Sequence, residues 1–268
     1  MRRFHHSQFA AGLLPALKRG RRVAVCIPAR NEEATVGAIV ASIHDELMVD
    51  VPVVDQLVVA DDGSWDSTAA VAEKNGAHVV SVGRRGGADA GAGKGRAMRR
   101  GIEATSAEVV MFCDADLLSF GPHYVTGLVG PILSFDDLLL VKPEYSRPYR
   151  GVPGEGGRVT ELTARPLIAA LFPELAGVTQ PLAGETASAR SVLDSVDLES
   201  GYGVEAALLV DVARVAGPEA IAQCDLGIRE HRNRPLAELA PEASEVMRAL
   251  MGRAGMCAPG SPRSRARS

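Results

Sequence analysis

The feature that most constrains this chain is an apolar run that ends abruptly in two carboxylates, Val109-Val110-Met111-Phe112-Cys113-Asp114-Ala115-Asp116. The five uncharged residues at its start, most of which favour β structure, predict a buried strand. Ligands of open α/β sheets bind beyond the carboxyl ends of the strands, which is where the two aspartates fall. Paired anionic oxygens suit a divalent cation such as Mg²⁺ or Mn²⁺, with positions left for water or a diphosphate. Because an isolated Asp-x-Asp also caps helices, the neighbouring segments are needed to choose between these interpretations.

Length and composition predict one elaborated domain or two closely joined halves. The chain has 268 residues, 46% of them apolar, which is enough to bury a substantial core. A net charge of −4 gives no general electrostatic reason to bind nucleic acid. The four cysteines lie far apart, which favours small core residues in a reducing cytoplasm over disulfides or a zinc site. No span of about 18 residues is continuously apolar, so we predict no transmembrane helix, and the cysteine usage leads us to expect a cytoplasmic protein.

Strand-helix units precede the acidic run and predict a mostly parallel sheet with helices on both faces. The first has its strand at 23–27 and continues with Pro28-Ala29-Arg30-Asn31-Glu32 where a dinucleotide-binding Rossmann fold would have Gly-x-Gly-x-x-Gly. Ordinary NAD binding is therefore disfavoured. The second passes from strand 56–60 into Asp61-Asp62-Gly63-Ser64, whose carboxylates either bind a ribose or base or cap the next helix.

The glycine-rich stretch 83–95 invites comparison with the phosphate loop of NTPases. The pattern Gly-x-x-x-x-Gly-Lys-Ser/Thr fails twice, because Ala88 occupies the first glycine position and Gly95 replaces the hydroxyl residue. A Walker-type NTPase is therefore excluded. Lys94, at the head of the next helix, remains a candidate to neutralise a phosphate or to fix the base of a nucleotide.

Candidate ligands recur in the second half of the chain. A strand at 138–142 is followed by a Pro- and Gly-rich segment, 143–157, that suits a mobile loop closing over substrate. Arg158 and Thr160 at the start of the next helix either bind an anion together with its N–H groups or are merely exposed. Glu205 lies in the first turn of an apolar helix, and His231, after a late strand at 221–228, can share a cation with Asp116.

These segments together resemble a GT-A glycosyltransferase, and the second half resembles the glucosyl-3-phosphoglycerate synthases of actinobacteria. The resemblance covers about residues 23–252 and rests on the following motifs: Pro28-Ala29-Arg30-Asn31-Glu32-Glu33, Gly93-Lys94-Gly95, Asp114-Ala115-Asp116-Leu117, Gly156-Gly157-Arg158-Val159-Thr160-Glu161-Leu162, Ala164-Arg165-Pro166-Leu167, Gly201-Tyr202-Gly203-Val204-Glu205, Ala222-Gln223 and His231-Arg232-Asn233-Arg234-Pro235-Leu236. The first and third are shared by many nucleotide-sugar enzymes, and the later ones are more specific.

The resemblance implies a retaining transferase that moves a hexosyl group from a UDP- or GDP-sugar to a small anionic acceptor such as 3-phosphoglycerate. It implies donor binding by Pro28, Ala29, Arg30, Asn31, Glu32, Asp62, Lys94, Asp114, Ala115, Tyr202, Gly203, Val204, Glu205 and Arg229. It implies Mg²⁺ or Mn²⁺ at Asp116 and His231, with Asp116 and Glu205 as the catalytic candidates. Acceptor binding falls to Gly157, Arg158, Val159, Thr160 and Asn233. Retention is expected through front-face attack, without a covalent nucleophile, and a homodimer is common among relatives.

The expected fold is a Rossmann-like GT-A domain with an acceptor-binding C-terminal half. Its parts are a lead at 1–22, a nucleotide-sugar-binding half at 23–120, an acceptor-binding half at 121–235, a C-terminal helix at 236–257 and a disordered tail at 258–268. Asp61-Asp62-Gly63-Ser64 and Gly184-Glu185-Thr186 depart from the family's usual Asp-Ser-Gly-Ser and Gly-Glu-Tyr on the donor side. A relative recruited to natural-product biosynthesis, a sugar-phosphate nucleotidyltransferase and a non-catalytic nucleotide-sugar-binding protein are the alternatives.

Overall fold

The computed structural model describes residues 1–83, 93–146, 157–229 and 236–256. Its strands are β1 Arg2–His5, β2 Val23–Ala29, β3 Gln56–Asp61, β4 His78–Ser81, β5 Val109–Phe112, β6 Leu140–Ser146, β7 Thr186–Ala189 and β8 Ile221–Ile228. Its α-helices are α1 Leu14–Leu17, α2 Val36–His44, α3 Thr68–Lys74, α4 Lys94–Glu103, α5 His123–Ser134, α6 Arg165–Leu171, α7 Arg190–Leu193, α8 Val204–Ala216 and α9 Leu236–Arg253. Two π-helical segments, Asp45–Asp50 and Thr160–Ala164, adjoin α2 and α6.

The strands form one sheet in the order β1-β8-β6-β7-β5-β2-β3-β4. All neighbouring pairs are parallel except those of β7, which runs antiparallel to both β5 and β6. The predicted mostly parallel sheet is therefore confirmed. Because β7 is reversed, its first residue, Thr186, pairs with Phe112 at the carboxyl end of β5. The segment before β7 consequently lies at the ligand-binding edge of the sheet.

Helices cover both faces of the sheet because side chains alternate along the buried strands. On β5, Val109 and Met111 belong to the apolar core that contains α2 and α5, whereas Val110 and Phe112 belong to the core that contains α4, α8 and α9. Each face of the sheet thus packs on a separate apolar layer. The polar loops lie at the carboxyl edge of the sheet, between these two layers.

Three local expectations were incomplete or wrong. Residues 143–146, assigned to a mobile loop, continue β6, because parallel pairing with β8 extends past Pro143 to Ser146 through an irregular register. The lead at 1–22 contributes β1, which pairs with β8 at one sheet edge. Residues 186–189, for which no strand was predicted, form β7. The remainder of the proposed mobile loop, 147–156, and the tail at 258–268 lie outside the described residues.

In the described ranges, no helix combines the length and the apolar character that a membrane span requires.

Candidate active site

Five charged side chains from distant parts of the chain meet at the carboxyl edge of the sheet, and we call them the charged cluster. They are Lys94, Asp114, Glu185, Glu205 and Arg229. Opposite charges alternate from Glu205 through to Glu185, so that each cation is held between two carboxylates. Such pairing is what allows several ionised groups to share a largely buried site.

Lys94 is the first residue of α4 and joins two carboxylates. Its Nζ lies 2.6 Å from Asp114 Oδ1 and 2.6 Å from Glu205 Oε1. Burial alone would lower the pKa of Lys94, but the two carboxylates outweigh it and raise this pKa well above its ordinary value. The lysine is therefore held as a cation at this edge of the sheet.

Arg229 follows β8 and is 4% exposed. Its Nη2 donates to Asp114 Oδ2 at 2.8 Å, and its Nε donates to Glu185 Oε1 at 3.0 Å. Glu185 is fully buried and also accepts a hydrogen bond from the Tyr145 hydroxyl at 3.0 Å. Burial opposes the charge of Arg229, but Glu185 and Asp114 raise the pKa of its guanidinium well above the usual value. Its planar, multidentate donor group is therefore fixed in direction.

The space beside the charged cluster leaves no room for a side chain at Gly184. A β-carbon at this position would overlap both the Asp114 carboxylate and the Lys94 ammonium. Its backbone φ lies outside the left-handed region, so the absence of a side chain, and not the conformation, favours glycine. The backbone just before β7 can thereby pack directly against the ion pair.

Asp116 differs from Asp114 in its surroundings. The Asp116 side chain is 44% exposed, and its carboxylate lies 3.9 Å from Arg229 Nη2, beyond hydrogen-bond distance. Burial and then the negative charge of Asp114 raise the pKa of Asp116. An accessible carboxylate next to a second one is suited to a hard divalent cation, which would relieve this repulsion. Within the described residues, no three His, Cys, Asp or Glu side chains converge as a complete metal site, and His231 lies outside them.

The loops after β2 and β3 bind one another on the proposed nucleoside side. Asn31 has φ of +57°, its N–H donates to Ser64 Oγ at 2.9 Å, and its side-chain oxygen accepts from the Trp65 N–H at 3.0 Å. The hydroxyl of Thr35 donates to the carbonyl of Ala115 at 2.6 Å. The first loop is thus attached to the Asp-x-Asp segment as well as to the second loop. Arg30 is exposed, while Pro28 and Glu32 are partly exposed.

Asp62 has a clear structural role on this side of the site. It accepts from the Gly93 N–H at 3.0 Å and from Arg96 Nη2 at 3.3 Å, so it holds the start of α4. Burial raises the pKa of Asp62, an effect that Arg96 and the Gly93 N–H partly oppose. Its predicted contact with a nucleoside stays a prediction.

The turn that precedes α8 packs tightly on α9. A β-carbon at Gly203 would overlap Ala249, and the Tyr202 N–H donates to Glu245 Oε2 at 2.6 Å. Tyr202 is 44% exposed, whereas Val204 and Glu205 are buried. The helix start therefore places Glu205 against Lys94 and leaves the Tyr202 side chain exposed.

The proposed acceptor segment begins the helical stretch that leads into α6. Gly157 has φ of +77° and its carbonyl accepts from the Glu161 N–H at 3.0 Å. Thr160 is buried, and Arg158 and Val159 are partly exposed. Asn233, the remaining acceptor candidate, lies outside the described residues.

Glu185 was not among the predicted site residues, although the family pattern had placed Gly184-Glu185-Thr186 on the donor side. It lies 44 positions from Arg229 and 40 from Tyr145, its two partners. The family pattern did not show that this carboxylate is buried against Arg229. That contact depends on the order of the strands.

Comparison with known proteins agrees with this geometry. The family described as glycosyl transferase family 2 matches residues 24–148. The glucosyl-3-phosphoglycerate synthase of Mycobacterium tuberculosis is 45% identical over 261 residues, covering 94% of this chain and 80% of that protein. The synthase of Petrotoga mobilis is 38% identical over 260 residues, covering 94% and 80%.

Solved structures agree as well. The crystal structure of the M. tuberculosis enzyme in complex with Mn²⁺, UDP-glucose and phosphoglyceric acid has a TM-score of 0.87 and 43% identity, covering 97% of this chain and 89% of that one. A complex of the same enzyme with Mg²⁺ and UDP has a TM-score of 0.86. The fold is that of a GT-A glycosyltransferase, and this protein is a glycosyltransferase. Within that class, the chain belongs to the glucosyl-3-phosphoglycerate synthase family.

Proposed function

We propose that this protein transfers a glucosyl group from UDP-glucose to the hydroxyl of 3-phosphoglycerate, with retention of configuration and with Mg²⁺ or Mn²⁺. The observation that carries the proposal is the charged cluster beside the accessible carboxylate of Asp116. The cluster lies at the edge where α/β sheets bind nucleotides. The relatives with these cations, UDP-glucose and phosphoglycerate in their crystals support the choice of substrates.

The two aspartates suit different tasks because their surroundings differ. Asp114 is held by Lys94 and Arg229, which leaves its oxygens directed and suited to accept sugar hydroxyls. Asp116 is accessible and would hold the metal together with His231. The bound metal would stabilise the negative charge that develops on the departing diphosphate. Glu205, paired with Lys94, is proposed as a second acceptor for sugar hydroxyls.

The cations of the cluster contribute in the same direction. Lys94 and Arg229 are fixed before substrate binds, so little reorganisation is needed when charge develops at the diphosphate. On the acceptor side, Gly157, Arg158, Val159 and Thr160 are proposed to hold the anionic groups of 3-phosphoglycerate with Asn233. Arg158 supplies the positive charge, and the Thr160 hydroxyl and backbone N–H groups supply donors.

The test is an assay of purified protein with Mn²⁺, 3-phosphoglycerate and either UDP-glucose or GDP-glucose. We expect a product with the mass of glucosyl-3-phosphoglycerate from UDP-glucose, with the anomeric NMR coupling of an α-glucoside. Asp116→Asn should abolish this product, while Asp194→Asn, a change at an exposed helical ion pair, should not. Transfer only to another acceptor would instead support the natural-product alternative.

Two further results would assign the protein to a different class. A protein that binds UDP-glucose but transfers its sugar to none of a panel of sugar acids and phosphates would be a binding protein. Release of pyrophosphate from UTP and a sugar phosphate would identify a nucleotidyltransferase.

A further inference from the structure

A buried lysine outside the charged cluster holds the segment from Ala183 to Thr186, which we call the β7 turn. Lys142 lies on β6 and is 1% exposed. Its Nζ donates to the Ala183 carbonyl at 2.6 Å and to Thr186 Oγ1 at 2.8 Å. The Thr186 hydroxyl also donates to the Ala183 carbonyl, at 3.2 Å. One ammonium group thus binds both ends of a four-residue segment.

This arrangement is unfavourable for stability on its own. Both oxygens bound by Lys142 are uncharged, and none of the ion pairs among the described residues includes it. Burial lowers the pKa of Lys142 to about 8, with Glu205 opposing the shift and Lys94 adding to it. An apolar side chain of similar length would avoid the desolvation of an ammonium ion. A role in the site therefore explains Lys142 better than a role in stability.

Of the two residues between the ends of the β7 turn, Gly184 packs against the charged cluster and Glu185 belongs to it. Gly184 packs against Asp114 and Lys94 so closely that a β-carbon would overlap them. Glu185 receives the Nε–H of Arg229 and is 0% exposed. A displacement of this turn must therefore move the Arg229 guanidinium or break its ion pair. Lys142 itself reaches none of these groups by hydrogen bond in the described residues.

We propose that Lys142 is a positioning residue: by binding both ends of the β7 turn, it fixes Glu185 and thereby sets the direction of Arg229 for transfer. The inference rests on the proposed function, because it assigns Arg229 to the donor site. It is distinct from that function, because it concerns a residue that touches neither substrate nor metal.

The experiment is a double-mutant cycle of Lys142→Met and Glu185→Gln, measured by steady-state transfer from UDP-glucose to 3-phosphoglycerate. Methionine has a similar length, fits an apolar site and removes the donors. Lys18→Met is the matched control, because Lys18 Nζ likewise binds one carbonyl, of Pro52, and one side-chain oxygen, of Asp55. Asp55 also caps the start of β2, at the opposite end of the sheet.

We expect Lys142→Met to lower kcat by about 10- to 100-fold, since a displacement of about 1 Å in a positioned group costs up to that much. The KM for each substrate should change by less than about threefold, as expected when an interaction is lost mainly in the transition state. The double variant should be no slower than Glu185→Gln alone, because both changes act through one contact. Lys18→Met should retain the kcat of the parent protein.

Two results would overturn the proposal. One is an unchanged kcat in folded Lys142→Met, and the other is a pair of losses that multiply in the double variant. If Lys142→Met fails to fold, Thr186→Val replaces it, since valine has the shape of threonine and removes one of the two anchoring oxygens. Folded Thr186→Val with the parent kcat would then refute the proposal.

A second readout does not depend on turnover. In protein labelled with ¹⁵N-arginine, the Nε–H of Arg229 should exchange slowly with solvent, because it is buried and donates to Glu185. Exchange should accelerate in Lys142→Met and not in Lys18→Met. Slow exchange without any transfer would reject the proposed function and keep the positioning of Arg229. Transfer with unaltered exchange in Lys142→Met would reject the positioning role alone.

Discussion

Replacing Gly184 by alanine should damage the active site without changing the sheet. The added methyl group would overlap the Asp114 carboxylate and the Lys94 ammonium. Restoring an ordinary van der Waals separation requires a movement of about 1.5 Å at the Asp114 oxygen, and a misplacement of about 1 Å can already lower a rate by about 10²-fold. This loss corresponds to about 2.7 kcal/mol of transition-state stabilisation.

The same overlap should cost stability. Overpacking of this kind destabilises by about 1–3 kcal/mol. In a chain of this size, each kcal/mol lowers Tm by roughly 2–4 °C. The charged partners cannot move freely, because Lys94 is also bound to Glu205 and Asp114 is also bound to Arg229. The variant is therefore expected to lose stability as well as activity.

The assay compares kcat from UDP-glucose with Tm from calorimetry, for Gly184→Ala and for a matched glycine. Gly177→Ala is that match, because a β-carbon there meets nothing within 4 Å and its φ also lies outside the left-handed region. Gly177→Ala should keep both the parent kcat and the parent Tm. A Gly184→Ala protein with the parent kcat would refute the close packing on which the argument depends.

Three further outcomes are expected. Asp116→Asn should lower the rate of metal-stimulated transfer by at least about 10²-fold. Its Tm should stay near that of the parent, because the side chain is partly exposed and faces Asp114. Retained transfer with Mn²⁺ would contradict the metal assignment. Arg158→Ala should raise the KM for 3-phosphoglycerate more than that for UDP-glucose, and equal changes would remove Arg158 from the acceptor site. Between pH 7 and pH 10, the free energy of unfolding of the parent should increase by about 2–3 kcal/mol more than that of Lys142→Met. The same pH dependence in both proteins would contradict this prediction.

The sign of the last prediction follows from the direction of the pKa shift. The pKa of Lys142 is about 8 in the folded protein, against 10.5 as its ordinary value. Between these values the unfolded chain binds more protons than the folded one, so stability increases with pH. Below pH 8 the Lys142 side chain is charged in both the folded and the unfolded state, so the folded protein bears the full cost of desolvating the ammonium group.

Long apolar runs made most of the fold predictable from the sequence. The strand before Asp114 was predicted because Val109–Phe112 lies in an apolar, β-favouring run, and the late strand Ile221–Ile228 was predicted as well. β7 is no shorter than β5, but it was missed because Thr186–Ala189 consists of small residues that give no apolar run. Its strand structure comes from pairing with β5 and β6, which local propensity does not report.

The candidate site, like the fold, could be predicted only in part from the sequence. The resemblance to the family brought forward Lys94, Asp114, Glu205 and Arg229, and the structure places these four side chains together. Their contacts are long-range ion pairs, so no local pattern could have predicted which carboxylate faces which cation. Glu185, although it lay in a donor-side pattern, was for that reason not assigned a role. The roles of all these residues in binding remain predictions that the experiments above address.

The reversed direction of β7 has a consequence for how such enzymes can diversify. A parallel strand brings its last residue to this edge of the sheet, but β7 brings its first, Thr186, opposite Phe112. Changes in the sequence upstream of Gly184 can therefore reshape this edge while Gly184, Glu185 and the paired positions from 186 to 189 keep their contacts. Exchange of the stretch before Gly184 between relatives is expected to alter the proposed donor site without rebuilding the sheet.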